Sequence, residues 1–443
     1  MKLDKIVQKL ILHLVRQKRF WKEEPFIPGE TKIGYTGPNF GPSELHASLE
    51  CLFDGRLSAG KRTLEFEKRI AEYIGVEYCL FTNSGSSAST LMFEALTDEE
   101  YRNHLNPGDE VVVSASSYPT TIAAIQRAGL VPVFVDTEIG SYVSTPETME
   151  KGITEKTKAV LVTHIQGNPS QMDELSRVCR EKNVILLEDN CEAFGSEYRG
   201  QKTGSFGLMS IGSYYPAHHI TTMGEGGTLM TNDLTLFELA HSYRDWGVNR
   251  SIAHEAQGAE AADRFSHYVF NSQGKEVSMD SMHLFFRAGY NLKPIEIQAA
   301  FGLAQLDRVD KFAQRRKRNF RRLYKGLKKY DNYFILPQET EGGNALWFTF
   351  PLTIKEGAGF SRREMQQYLA DYNVETRILF GANVPSEPAF YQKVRIVGEG
   401  TLPNADYCLE NSFLVGCHHA LDNQKIDYII KKIRDFVAEK NNT

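Results

Sequence analysis

The sequence predicts an α/β protein: a central, mainly parallel sheet covered by helices, with a small α+β unit at the C-terminal end. Three observations carry the prediction. Between about residues 78 and 191, short apolar runs alternate with segments of helical period, the pattern of βαβ units. Small, hydroxyl-bearing, aromatic and acidic residues stand just after those runs, where ligands collect at the carboxyl ends of parallel strands. The composition, 443 residues with 41% hydrophobic and 24% charged, suits a chain with a sizeable core.

The elements follow in order. Leu3, Ile6, Val7, Leu10, Ile11, Leu14 and Val15 recur at helical spacing among basic residues. They predict an amphipathic helix that packs on a partner subunit or on the body, too short in apolar run to span a bilayer. Residues 20–60 are rich in Pro and Gly and turn helical from Glu44 to Phe53, and a second helical pattern runs from Thr63 to Tyr73. Tyr78–Thr82 reads as a strand, Asn83–Ala88 as a small-residue turn and Ser89–Leu96 as a helix. That layout points backbone N–H groups at an anion, although a plain serine N-cap has the same composition. Strands are then expected at Glu110–Ser114, Val131–Val135, Lys158–Thr163 and Val184–Leu187, with helices at Thr121–Ala128 and Met172–Lys182. Phe206–Ile211 and Thr228–Thr231 read as strands flanking a loop, Ser213–Gly227, with two adjacent histidines and several glycines. By itself that loop is equally a tight turn with two surface histidines. Asn249–Ser281 is polar and reads as a long irregular loop. One long helix is expected from Pro294 to Leu327, then a strand at Trp347–Leu352, a helix at Arg362–Asp371, a strand at Val374–Ile378 and a last amphipathic helix at Asp422–Glu439. The expected organisation is an arm (1–40), a large domain (41–310) and a small one (311–443).

Charge and cysteines exclude some classes. The net charge of −5 leaves no basic surface for nucleic acid, so an anionic ligand needs a local site. The six cysteines form no CxxC pair and no secreted-scaffold spacing, which suits reduced thiols in a cytoplasmic protein. No metal site is expected.

One constellation stands out. An acid at a strand end (Asp189), an aromatic after another strand (Tyr118) and hydroxyls at a helix start together suit pyridoxal phosphate. The acid pairs with the pyridine nitrogen, the aromatic stacks on the ring and the helix start holds the phosphate. A capping Asp189 and a core Tyr118 are the plainer readings of each residue singly.

The chain resembles the sugar aminotransferase/dehydratase family of fold-type I pyridoxal-phosphate enzymes. The resemblance rests on Ser84-Gly85-Ser86-Ser87-Ala88, Pro107-Gly108-Asp109-Glu110-Val111, Pro132-Val133-Phe134-Val135-Asp136, Glu188-Asp189-Asn190, Gly224-Glu225-Gly226-Gly227, and Gly289-Tyr290-Asn291 with Glu296-Ile297-Gln298-Ala299-Ala300. It implies that Asp189 pairs with the pyridine nitrogen, that Tyr118 stacks on the ring, and that Gly85, Ser86, Ser213 and His164 belong to the cofactor site. It further implies substrate contacts from Arg377, Asn383, Lys293 and His219, and a homodimer in which Asn249–Ser281 reaches the partner's site.

In the family's aminotransferases a Schiff-base lysine lies five residues after that serine. Here the position is His218, and no lysine falls between Lys202 and Lys275. Counting back from Gly224 points instead to His219, so both histidines stay open at this stage. Imidazole forms no stable imine but moves protons near neutral pH. The replacement resembles the branch of nucleotide-sugar 3-dehydratases, which use pyridoxamine phosphate. It is shared with Tyr215-Pro216-Ala217-His218-His219, His164 with Gly167-Asn168-Pro169, Trp347-Phe348, and Thr376-Arg377 with Phe380. The CDP-4-keto-6-deoxyglucose type, to which the chain is most similar, holds a [2Fe–2S] cluster on four cysteines. Cys191 stands at the first, but Asn249, Ser251 and Ala259 stand at the others, so no cluster is expected and Cys191 is read as a small buried residue. The expected activity is removal of the C3 hydroxyl from a nucleotide-linked 4-keto-6-deoxyhexose in deoxysugar biosynthesis, with glutamate restoring the amine form of the cofactor. Another His-for-Lys activity on a different keto sugar, or a non-catalytic cofactor-binding paralogue, are the alternatives.

Overall fold

The chain opens on α1 (Lys2–Arg16), which contacts α2 (Pro42–Phe53) and leaves Ile6, Val7, Leu10, Ile11 and Leu14 exposed. The computed structural model describes residues 2–16, 25–37, 39–248, 267–280, 284–390, 394–398 and 400–441. After α3 (Lys61–Ile74) strand and helix alternate as expected: β1 (Tyr78–Thr82), α4 (Gly85–Thr97), β2 (Glu110–Ser114), α5 (Pro119–Arg127), β3 (Val131–Val135), α6 (Pro146–Lys151), β4 (Thr157–Thr163), α7 (Met172–Lys182) and β5 (Ile185–Asp189). A small hairpin follows, β6 (Glu197–Tyr198) and β7 (Gln201–Lys202), then β8 (Met209–Ser213), β9 (Gly227–Thr231) and α8 (Leu234–Arg244).

The main sheet has eight strands in the order β1-β9-β8-β5-β4-β2-β3-β16, where β16 is Arg395–Ile396. Only β9 runs against the rest; it pairs antiparallel with both β1 and β8. The carboxyl ends of β1, β2, β4, β5 and β8 therefore open on one edge. The parallel strands are buried on both faces, which is why they read as continuous apolar runs rather than alternating ones. Val111, Val113, Leu161 and Leu187 pack toward α4, α5 and α8, while Val112, Val160 and Leu186 pack toward α7.

Several elements differ from expectation. The segment Asn249–Ser281 is not wholly irregular: within its described part β10 (His267–Ser272) and β11 (Lys275–Asp280) form a hairpin. Its two-residue turn, Gln273-Gly274, has positive φ at both positions, the geometry that matches strand twist. Asn249, Ser251 and Ala259 lie outside the described residues, as does most of the segment expected to reach a partner. The single long helix is two, α9 (Glu296–Leu306) and α10 (Val309–Leu327). The corner between them is pinned on buried Glu44, whose Oε1 accepts from Gln305 Nε2 at 2.7 Å and Arg308 Nη1 at 2.8 Å.

The C-terminal part holds β12 (Phe334–Ile335), β13 (Gly343–Asn344), β14 (Phe350–Ile354), α11 (Arg362–Asp371), β15 (Arg377–Ile378), β16, α12 (Pro403–Asn411), β17 (Ser412–Val415) and α13 (Asn423–Asn441). Its sheet runs β12-β14-β17-β15, with α11 and α12 against it. β16 leaves this unit to join β3 in the main sheet, and β13 pairs with β6, so the two parts are stitched at two edges. No helix among the described residues is long and apolar enough to cross a membrane.

Candidate active site

At the carboxyl edge of the main sheet lies a cavity of about 480 Å³. Gly85, Ser86, Tyr118, Asp189, Ser213 and His218 all line it. The strand ends bring them there from four stretches of chain.

Two of these stretches make an anion cradle. Ser84 caps α4 by accepting from Ser87 N at 3.1 Å, which leaves the first N–H groups of the helix to an outside acceptor. Ser213, at the end of β8, faces that helix start at close range: a Cβ added at Gly85 would stand 2.8 Å from Ser213 Cβ and 3.0 Å from its Oγ. Gly227 closes the same corner, where an added Cβ would lie 2.4 Å from Ser84 O. Ser86 Oγ donates to Thr120 Oγ1 at 2.9 Å.

Asp189 is 2% exposed at the end of β5. Its Oδ2 accepts from Thr121 Oγ1 at 2.8 Å and its Oδ1 from Cys191 N at 3.1 Å. Both donors are neutral, and no cation pairs with it among the described residues. A buried carboxylate on a cavity wall without a countercharge fits a protonated ring nitrogen. Tyr118, half exposed, caps α5 and meets Phe380 edge-on at 6.3 Å, so one ring face is free for a planar ligand. With the cradle, these features fit pyridoxal or pyridoxamine phosphate.

The preceding acid explains how Asp189 is held. Glu188 is fully buried and accepts from Gly204 N, Phe206 N and Gly207 N, each at 2.7 Å, and from His164 Nε2 at 2.9 Å. His164 Nδ1 in turn accepts from Ser170 N at 3.1 Å, which fixes the neutral tautomer. Both ring nitrogens are thus taken and His164 does not line the cavity. His164, expected at the cofactor, is placed behind the wall, where it clamps Glu188.

The two histidines separate. His218 lines the cavity and packs on Phe348, ring centroids 5.2 Å apart, and its Nδ1 has no partner. Burial, with the Arg316 guanidinium behind it, keeps its imidazole well below the ordinary histidine range and hence neutral. His219 points away: it is buried and its Nε2 meets Leu346 O at 2.7 Å, which removes it from the expected substrate contacts.

Three other expected substrate residues also lie elsewhere. Asn383 is buried and donates to Asp406 Oδ1 at 2.6 Å. Lys293 Nζ sits 2.9 Å from the Trp246 ring centroid, away from the cavity lining. Arg377 pairs with Glu375 at 2.6 Å and stacks over Tyr35, and only Tyr35 reaches the cavity. Cys191, expected to be enclosed, is half-buried and lines the cavity.

Two lining residues escaped the sequence reading. Thr121 lies one helical turn beyond Tyr118 and bonds Asp189. Glu192, three residues beyond Asp189, is 8% exposed; its Oε2 accepts from Gln166 N at 2.6 Å and Gln166 Nε2 at 3.3 Å. Burial raises its pKa to about 8, with the Asp189 charge adding to the effect, so at neutral pH it holds a proton.

Comparison with known proteins agrees with this geometry. The model of the DegT/DnrJ/EryC1/StrS aminotransferase family matches residues 39–434. The dTDP-4-dehydro-2,6-dideoxy-D-glucose 3-dehydratase of Saccharopolyspora spinosa is 38% identical, over 97% of this chain and 92% of that one. The lipopolysaccharide biosynthesis protein RfbH of Salmonella typhimurium is also 38% identical, over 93% of each. A solved structure of E. coli GDP-4-keto-6-deoxy-D-mannose-3-dehydratase with bound hydrated PLP superposes with a TM-score of 0.81 at 28% identity, covering 90% of this chain and 99% of that one.

Proposed function

The chain belongs to the DegT/DnrJ/EryC1/StrS aminotransferase family, and from that premise we propose that it is a nucleotide-sugar 3-dehydratase that uses pyridoxal and pyridoxamine phosphate. It removes the C3 hydroxyl of a nucleotide-linked 4-keto-6-deoxyhexose, without an iron–sulfur cluster, and uses glutamate to restore the amine. The observation that carries the reading is His218 on the cavity wall, five residues after Ser213, in a cavity that no lysine among the described residues lines. With no lysine on the wall, its residues would hold the cofactor without a covalent bond, and His218 would leave its amine untethered.

Bound there, the cofactor supplies a primary amine for the sugar's carbonyl carbon and an electron-withdrawing ring. The protein does the rest. The α4 N-terminus, Ser86 and Ser213 hold the phosphate. Asp189 keeps the pyridine nitrogen protonated and Tyr118 covers the ring face. His218, neutral at working pH, accepts the proton from the methylene carbon next to the ring. Glu192 offers a carboxylic hydrogen bond in the same cavity without placing a second charge beside Asp189. The chain offers Asn249, Ser251 and Ala259 where cluster thiolates would be needed, so electrons come from glutamate. The net reaction balances: the sugar loses one oxygen, glutamate becomes 2-oxoglutarate and ammonia is released.

Purified protein with pyridoxal phosphate, glutamate and a panel of GDP-, dTDP- and CDP-4-keto-6-deoxyhexoses tests this by mass spectrometry. The expected product lacks one oxygen, with 2-oxoglutarate in equal amount, and His218→Asn binds the cofactor but forms no product. An amino sugar, or no loss of oxygen from any substrate, refutes the dehydratase reading.

A further inference from the structure

Behind His218 lies a cation that no carboxylate balances. Arg316, on α10, is 1% exposed. Its Nη1 donates to Phe348 O at 2.8 Å and Trp347 O at 3.3 Å, and its Nη2 donates to His218 O at 3.1 Å. Its Nε has no partner, and no acid pairs with it among the described residues. Burying a lone guanidinium is costly, and burial lowers its pKa only to about 10, so it stays charged at neutral pH. Three main-chain acceptors are all that holds a full charge in the core.

The placement of those acceptors carries the inference. One belongs to His218 and one to Phe348, the ring against which the His218 imidazole packs. The same cation therefore grips the base's own main chain and the wall behind it. We propose that Arg316 is a positioning residue, which aims His218 into the cavity and sets a fixed positive charge behind its imidazole, so that it enters the reaction as a base. The assignment rests on His218 being the proton acceptor.

The groups around the guanidinium bring it no compensating negative charge. The loop after β8 presents His218 and His219, and the stretch after β17 presents Cys417, His418 and His419. Arg308 at the α9–α10 corner, felt at His419, is paired with buried Glu44, and Lys425, felt at His418, is paired with Asp422. Burial pushes the Cys417 thiol up to about 12, so it brings no negative charge. Burial holds His219, His418 and His419 below the ordinary histidine range, with the Arg316 charge the second cause in each. The acids that line the cavity with His218 are Asp189, Glu192 and Glu225, and burial pushes the last two up.

A histidine-labelled protein followed by NMR between pH 5 and 8 tests this, with and without pyridoxal phosphate. The chain has 12 histidines, and the His218→Asn spectrum assigns the resonance. Arg316→Gln keeps hydrogen-bond donors and removes the charge; Arg316→Lys keeps the charge. The His218 midpoint is expected to lie below the range in wild type and Arg316→Lys, and to rise into it in Arg316→Gln. The acid limb of the kcat/KM profile should move with it. An ordinary wild-type midpoint near ~6.5 overturns the proposal without any variant. So does an Arg316→Gln midpoint equal to wild type in a protein whose circular dichroism is unchanged, or an equal rise in both variants. The midpoint is read without substrate, so a neutral His218 in a protein that removes no hydroxyl sinks the dehydratase reading alone.

Discussion

Gly85→Ala is the smallest change that strains the phosphate cradle. The new methyl would stand 2.8 Å from Ser213 Cβ, 3.0 Å from its Oγ and 3.4 Å from its Cα. Ser213 cannot retreat, because it ends β8 and pairs with Gly227 of β9. In the free protein the start of α4 backs away by a few tenths of an ångström. Binding then demands that helix and serine converge again on one phosphate, so the strain falls mainly on the bound state. Overpacking of this kind costs about 1–3 kcal/mol, and about 1.4 kcal/mol is tenfold in affinity, so cofactor binding should weaken about 5- to 150-fold. Equilibrium dialysis with pyridoxamine phosphate measures it. Ser213→Gly in the Gly85→Ala background removes the clash, so the second substitution should cost less there than in the wild type, giving a favourable coupling in the double-mutant cycle. Binding by Gly85→Ala within twofold of wild type, or a coupling of zero, would refute the reasoning.

Two further substitutions read the buried acids. Glu192 has a folded pKa of about 8 against an unfolded value of 4.5, so between those values the folded cofactor-free protein holds a proton that the unfolded chain has lost. Stability should therefore fall as pH rises through that window, by up to about 1.4 kcal/mol per unit for this one group; Glu192→Gln should flatten the slope in urea melts, and an unchanged slope would count against a protonated Glu192. Glu188→Gln keeps one acceptor oxygen and turns an amide NH₂ against either Phe206 N and Gly207 N or Gly204 N and His164 Nε2. A loss of about 3–5 kcal/mol is expected from breaking such a buried charge-supported set, and a melting temperature equal to wild type would show that the clamp does not hold the strand end.

The parts of the site visible in the sequence are those that sheet topology places. A residue just after a parallel strand must lie on the carboxyl edge, so Asp189, Tyr118 and Ser213 could be found by position alone. Loop residues have no such rule. His218 and His219 are neighbours that point opposite ways, and no period distinguishes them; only Leu346 O, brought from far along the chain, decides. His164 and Asn383 stand at strand ends or loops too, but their partners, Glu188 and Asp406, take them out of the cavity. Arg316 was legible and missed. It sits in a basic run, Arg315-Arg316-Lys317-Arg318, that reads as a solvated face, yet its spacing from Phe312, Asn319 and Leu323 places it on the buried face of α10.

The cavity's charges follow one logic. A ring nitrogen can balance one buried carboxylate and no more, and the wall holds one that is uncompensated, Asp189. Glu192, close enough in sequence to repel it, is kept neutral by burial. A base beside them works only if it too starts neutral, and here burial opposes protonation of His218, with the Arg316 charge behind it adding to the effect. A lysine at position 218 would meet the same guanidinium and the same burial, and both would lower its pKa, which is what an imine-forming amine requires. The surroundings thus suit either side chain as a neutral nitrogen. The choice of histidine removes the covalent tether while keeping a nitrogen that can accept a proton, and the proposed elimination of a hydroxyl rests on that difference.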